Sequence, residues 1–575
     1  MTAGRDRRLP WIAAVLSAAL WSVTHVLVHR PRGWPQMHVW GEWDFLLTAQ
    51  AIAAGHPPDA VLGAMHGNEL GSYVVAAGVA ALMKLGLDVV VAAKVLALSV
   101  GASIAGLVAG LSAWLAREGG LRTREAATCA VLSALLVSCA WPGMHFELAG
   151  LSGRTPESVP LQLAALALVV TVSPDGGSWL GPRALLAGAS LGLSWLLSPV
   201  TAWTALACGL LCFARLSFRR SWGLAILLAG VGFFLPVVLF GALVPGGWEG
   251  LELFRVEQLR GAGVGDTAAG GARPGVGVLA YTSAALEGGA HNPSLVTRDR
   301  LLSGVGFVLV GGLIVGALRG CRTRTFRTPG LLVALVGLSW FVPLALLPEE
   351  RWFYPLAYRY WGVMLALAMA LFPTLLVHGR FGSAAAGIVG VSCLVVASTL
   401  PRSVVAPAPP RAEALVSATA HSLGPRPGHD RHAAFWALMP HAAAADQPAL
   451  SEGYGLMLGA DFAVDMADGR DVAPPWQTVA PRLLEPAQTR FLVGVGCGMT
   501  VLGDVSLRAV QAVSSRGGDA KTALLWGLGR CGEAGSAADE HFGSHHVFEA
   551  GRAGVGGQSI RSSVSDPKPL LPPRW

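Results

Sequence analysis

Over the first 400 positions the charged residues fall in short islands between long apolar runs, and this pattern constrains the fold more than any other feature. Apolar runs occupy about Leu9–Val28 and then 72–87, 88–115, 126–141, 159–173, 184–197, 199–213, 222–243, 301–318, 330–347, 360–377 and 384–400. Most are long enough to be read as membrane-crossing helices. Only 13% of the 575 residues are charged, against about 25% in an ordinary soluble protein. So little charge cannot cover a water-soluble globule of this size. The expected fold is all-α and integral to a membrane. It comprises a bundle of about eleven transmembrane helices with a juxtamembrane helix over 1–400, a Pro-rich linker at 401–411, and a small, mainly helical soluble domain over 412–575.

The distribution of charge sets an orientation. The net charge is +7, yet the segment 401–575 holds 15 Lys or Arg against 16 Asp or Glu. The basic excess therefore belongs to the apolar part. It gathers in short loops: Arg117, Arg122 and Arg124; Arg215, Arg219 and Arg220; Arg319, Arg322, Arg324 and Arg327. Such clusters mark cytoplasmic loops, and they are no nucleic-acid footprint, which would need a basic face on a soluble module. The first run, preceded by Arg5, Arg7 and Arg8, reads as a retained first helix rather than a cleaved signal peptide. With the N-terminus cytoplasmic, one crossing separates the outside loop 30–70 from the inside loop 116–125. Two apolar runs lie between them, so Ser72–Leu87, with Lys84 and Gly86, is expected not to cross. The segment 184–213 must then cross twice, turning at Ser198-Pro199, because a proline removes a backbone donor. A single kinked helix there would reverse everything downstream. The count places the C-terminal domain outside the plasma membrane.

The outside loop 244–300 is glycine-rich, with Gly261-Ala-Gly-Val-Gly265, and suits either a lid or a plain connector. Pro401–Arg411 (PRSVVAPAPPR) is the linker to the tail. Cys497 and Cys531 are the only cysteines beyond it. They pair as a disulfide in an oxidising compartment or remain two buried thiols. The tail also contains an internal echo: Phe491-Leu-Val-Gly-Val-Gly-Cys-Gly498 resembles Leu524-Leu-Trp-Gly-Leu-Gly-Arg-Cys531, with a poorer copy at Gly551-Arg-Ala-Gly554. Such repeats suggest helices packed through glycines. The Gly-x-Gly pairs precede no Lys-Ser/Thr, which argues against nucleotide binding.

The stretch richest in chemistry follows the first run: Gly41-Glu42-Trp43-Asp44, an amphipathic helix to Ala54, then Gly55-His56-Pro57-Pro58. Asp44 opens that helix, where the dipole favours a carboxylate. This segment, the Leu185–Trp203 stretch with its Gly188, Gly192 and Pro199, the following Gly232-Phe-Phe-Leu-Pro236, and Tyr358-Arg359-Tyr360 at the start of a late run together resemble the GT-C superfamily of membrane glycosyltransferases. The resemblance spans about residues 9–400 and is mostly hydropathic. It implies transfer of a sugar from a polyprenyl-phosphate donor on the extracytoplasmic face, with membrane lipid and the lipid-linked donor as partners.

Such a transfer needs a base at the acceptor and positive charge on the leaving phosphate. The resemblance makes Asp44 the base and Glu42 its substitute. Arg351, Arg359 and Tyr360 are candidates for holding the donor, and Glu147 and Glu157 for a second acidic group. Whether a divalent metal takes part is left open, since the Glu-x-Asp spacing departs from the family's pattern. Each residue also has a plainer role: Asp44 and Glu157 as helix caps, Arg359 and Tyr360 as interface anchors. Asp539-Glu540-His541 with His545 reads more readily as an exposed loop than as a metal site. The competing function is a non-catalytic scaffold that displays the tail to a protein partner, with a transporter a weaker third reading.

Overall fold

In the computed structural model, described residues are 8–27, 70–140, 155–171, 180–197, 221–244, 311–320, 329–339, 358–378, 382–399, 431–442, 444–470, 472–500 and 518–531, with short pieces within 48–55, 207, 247–252, 308–309, 412–420 and 511–513. They are helical, with no strand among them. The chain divides into two compact units. One gathers Met1–Gln36, Glu69–Val79 and Val90–Ala406; the other gathers Met37–Asn68, Ala80–Val89 and Pro407–Trp575. The division falls at 406/407, inside the Pro-rich linker, and it groups the segment after the first helix with the tail.

The first unit contains α1 (Leu9–Leu27), most of α2 (Leu70–Lys84), α3 (Val89–Glu118), α4 (Thr123–Leu135), α5 (Thr155–Val170), α6 (Leu180–Leu197), α7 (Ser221–Leu243), α8 (Pro329–Ser339), α9 (Tyr358–Val377) and α10 (Gly382–Thr399). Two stretches, Val91–Glu118 and Gly223–Leu243, are long and apolar enough to cross a membrane. Seven shorter apolar helices accompany them among the described residues. At 15 residues, α2 is about 22 Å long, short of the ~30 Å hydrocarbon core. It ends at Lys84, and Gly86, with a φ of 94°, turns the chain into α3.

Helix α9 is the centre of this unit: every residue from Val363 to Leu371 is buried. A helix apolar all round must be enclosed by others. By contrast, α7 presents Leu227, Val231, Phe234 and Val238 outward, with Leu227 and Phe234 more than 60% exposed. Helices α1 and α10 also expose one face, through Trp11, Val15 and Leu16 and through Ile388, Val391 and Leu394. Apolar side chains on several helices exceed what a water-facing surface ordinarily carries.

Helix directions follow from close contacts. Gly106 and Gly110 of α3 lie against Ala14 and Pro10 of α1, while Gly101 receives the buried Trp21 ring. Helices α1 and α3 are therefore antiparallel. Ser17 Oγ donates to the Ala105 carbonyl at 2.9 Å across that seam. Helix α6 packs on α7 through Gly188 and Gly192, against Ala229 and Phe233, and Gly232 returns the contact toward Leu185 and Ala189. Small residues four apart let two backbones approach. The matching order makes α6 and α7 parallel. The second passage expected within 184–213 lies outside the described residues.

The second unit includes α11 (Arg431–Leu438), α12 (Gln447–Ala467), α13 (Ala487–Gly498) and α14 (Gly518–Cys531). Its aromatic core stacks Phe435 on Tyr454, ring centroids 3.9 Å apart, with Phe491 beside them. The Tyr454 hydroxyl bonds the His432 ring. Helices α12, α13 and α14 run parallel and meet through glycines. Gly453 faces the Val416 carbonyl and Gly455 faces Phe491; Gly494 faces Glu452 and Gly496 faces Leu524; Gly527 faces Val493. In the first two Gly-x-Gly pairs, the first glycine admits the preceding segment and the second admits the following helix. The echo at Gly494 and Gly527 is thus a structural repeat with its first copy at Gly453-Tyr-Gly455. The copy proposed at Gly551 lies outside the described residues.

Candidate functional site

Four of the polar residues buried in the first unit, Glu157, Ser158, Gln162 and Ser194, lie together at one end of it. Helix α5 opens with Thr155-Pro156-Glu157, and Glu157 is only 5% exposed. A carboxylate in a first helical turn faces unpaired backbone N–H groups, which favour its charge. Ser158, Gln162 and Ser194 surround this turn, and all three are buried. Gln162 Nε2 donates to Ser158 Oγ at 2.9 Å, and Ser194 Oγ of α6 donates to the Ser158 carbonyl at 3.3 Å. Helices α5 and α6 are antiparallel, since at the far end Arg183 Nη1 donates to the Thr171 carbonyl at 2.8 Å.

Helix α9 joins this end. Gly362 lies against Val159, where an added Cβ would stand 2.9 Å from Val159 Cγ2. The first turns of α5 and α9 are therefore neighbours. Arg359 and Tyr360 lie in the opening turn of α9, so the backbone brings the starts of the Glu157 and Arg359 helices together. Two helix N-termini, one buried carboxylate, two hydroxyls and an amide occupy otherwise apolar surroundings. Helix N-termini stabilise anions, and the side chains fix the orientation of a polar group.

No protein-family profile matches the chain, and no curated protein or solved structure matches it either.

Of the residues singled out in the sequence, Glu157 is buried at this end and the backbones of Arg359 and Tyr360 adjoin it. Glu42, Asp44, Glu147 and Arg351 lie outside the described residues, as do His541 and His545. Farther along the Asp44 segment, Thr48, Ala49 and Ile52 are buried, and that segment belongs to the second unit. Among the described residues no group of three His, Cys, Asp or Glu side chains could hold a metal ion. Sequence reasoning missed Ser158, Gln162 and Ser194. Gln162 and Ser194 are single polar residues in apolar runs, and Ser158 follows Glu157 where such a run begins. The available signal was Glu157-Ser158 followed four residues later by Gln162, which puts Ser158 and Gln162 on one helix face.

Two further features belong to the tail unit. Cys497 and Cys531 form a disulfide between α13 and α14, their Cα atoms 5.1 Å apart. Glu452 of α12, its side chain 2% exposed, sits between two guanidinium groups. Arg490 of α13 and Arg530 of α14 each approach it at 2.8 Å.

Proposed function

We propose that this chain is an integral membrane protein of glycosyltransferase type, which takes a sugar from a polyprenyl-phosphate donor at the extracytoplasmic end of its helix bundle. The observation that carries the reading is the junction of the Glu157 and Arg359 helix starts over the buried Ser158, Gln162 and Ser194. Ionisable groups enclosed in an apolar bundle are functional by default, and paired helix N-termini suit a phosphate. In this reading Arg359 and Tyr360 hold the donor phosphate and Glu157 orients the acceptor; removal of the acceptor proton is assigned to Asp44, with Glu42 as its substitute, by the sequence resemblance alone.

The membrane placement has its own support. Helix α1 runs opposite to α3, and the ends of α3 and α9 meet where His378 Nε2 and the Gly119 carbonyl oxygen are 3.1 Å apart. The loop that carries Arg117, Arg122 and Arg124 thus lies at the α1 N-terminal end, which is the cytoplasmic end under the basic-loop rule. The Glu157 end is opposite. The Cys497–Cys531 disulfide suits an oxidising compartment for the tail. About eleven crossings complete the bundle in this reading.

The test is direct. The chain purified into nanodiscs should carry polyprenyl-phosphate lipid enriched over the host membrane, seen by mass spectrometry. Arg359→Ala should remove that enrichment. A wild-type preparation with no phosphate lipid enrichment, or a folded Asp44→Ala variant with full transferase activity, would sink the corresponding assignment.

A second reading is a non-catalytic scaffold that displays the tail. It is favoured by one observation: the segment 37–68, which carries Asp44, clusters with the tail unit. Under this reading Asp44→Ala changes the stability of the tail and leaves lipid content unchanged.

A further inference from the structure

Helix α14 is the least self-sufficient element of the glycine-packed tail. It has 14 residues and opens with the polar Gly518-Asp-Ala-Lys-Thr. Its buried apolar side chains are Ala523, Leu524, Leu525 and Leu528. The seam with α13 runs through Gly496 and Gly527, which bring backbones close but bury little apolar area. Its Arg530 enters a nearly dry ion pair with Glu452, where desolvation offsets much of the attraction. A covalent tie then holds this helix: the Cys497–Cys531 bond spans 34 residues of sequence. Both cysteines are buried, at 2% and 9% exposure, so the bond lies inside the seam.

We infer that this chain is a client of an extracytoplasmic thiol-oxidising system, and that the docking of α14 depends on that oxidation. The inference rests on the outside placement of the tail proposed above and not on glycosyl transfer. The reaction is dithiol–disulfide exchange. One of the two cysteine thiolates attacks a disulfide of the oxidant and forms a mixed disulfide, releasing one oxidant thiolate. The other cysteine thiolate then attacks the mixed disulfide, the Cys497–Cys531 bond forms, and the second oxidant thiolate leaves. The protein loses two electrons and two protons, and the oxidant gains them as a dithiol. A chain still facing a reducing compartment keeps α14 undocked, so the tail is completed only after export.

The experiment uses the full chain, synthesised cell-free into nanodiscs under reducing conditions and divided, one half being treated with oxidised glutathione. Hydrogen exchange is read by mass spectrometry over 518–531 and 447–467. Closing a loop of this length shifts such an equilibrium by roughly several-hundred-fold. Oxidation should therefore slow exchange across α14 by that order, while α12 changes less than about tenfold. The double variant Cys497→Ser/Cys531→Ser, treated with glutathione, should match the reduced wild type. Equal protection of α14 in the reduced and oxidised chains would overturn the inference. Loss of protection in α12 together with α14 on reduction would also overturn it, because the bond would then staple the whole tail. Neither result bears on lipid enrichment, so failure here is distinguishable from failure of the transferase reading.

Discussion

The substitution Gly494→Ala tests the parallel glycine seam of the tail at one of its close backbone approaches. A Cβ at Gly494 would stand 2.8 Å from the carbonyl carbon of Glu452 and 3.0 Å from its Cα. The Glu452 carbonyl oxygen is nearer still; since such atoms pack at about 3.5 Å, α12 and α13 must separate by about 1 Å or more. The obstacle is backbone, which cannot rotate aside as a side chain would. Separation would also strain the Gly455 and Gly498 contacts of the same seam and the Arg490–Glu452 pair at 2.8 Å. Overpacking of this kind costs about 1–3 kcal/mol, and a backbone neighbour argues for the upper end. Alanine regains about 1 kcal/mol of helix propensity. The steric term wins, leaving a net loss of about 2 kcal/mol, or roughly 30-fold faster exchange of the α13 amides. Gly230→Ala on α7 is the control, because nothing lies within 4 Å of its Cβ position. That variant should be neutral or stabilised by up to about 1 kcal/mol. Hydrogen exchange over 487–498 and 223–243 reads both. If Gly494→Ala gained protection as the control does, α12 and α13 would not touch at Gly494, and the repeat would be wrongly described.

Arg530→Met should destabilise the tail by about 3 kcal/mol, since it leaves Glu452 short of one partner at 2% exposure; chemical denaturation with near-ultraviolet dichroism reads it. Arg490→Met should cost about 1 kcal/mol or less, because Arg490 is 38% exposed. Gly192→Val should part α6 from α7, where an added Cβ already stands 2.8 Å from the Phe233 carbonyl carbon; the folded yield in detergent should fall several-fold, and a wild-type yield would remove that contact from the account. Arg359→Ala should raise the KM for a lipid-phosphate donor at least about tenfold with a smaller change in kcat, the pattern of lost ground-state binding.

The alternation of apolar runs and basic islands made the helices legible, because the apolar character of a helix is a property of local sequence. The run Ser72–Leu87, expected not to cross, holds the 15-residue α2 beside the 30-residue α3. The cysteine pair was legible only as two alternatives. Residues 34 apart in sequence meet only if α13 and α14 run parallel, and direction is a tertiary property. The repeat was half legible. Gly494 and Gly527 share apolar flanks, whereas Gly453 follows the charged Glu452 and precedes Tyr454, so its copy carries a different composition. Burial of Glu452 was invisible, since its partners Arg490 and Arg530 lie 38 and 78 residues away. The Ser158, Gln162 and Ser194 group is scattered for the same reason: two helices must be antiparallel before the residues meet.

The central claim is that the chain threads a membrane with its basic loops inside and its disulfide-closed tail outside. The decisive measurement is a set of fusions to a reporter enzyme that becomes active only after export. Fusions after residue 60 and at the C-terminus should be active, and a fusion within 119–122 should be inactive. A C-terminal fusion that is made but inactive, beside an active fusion after residue 60, would contradict the account.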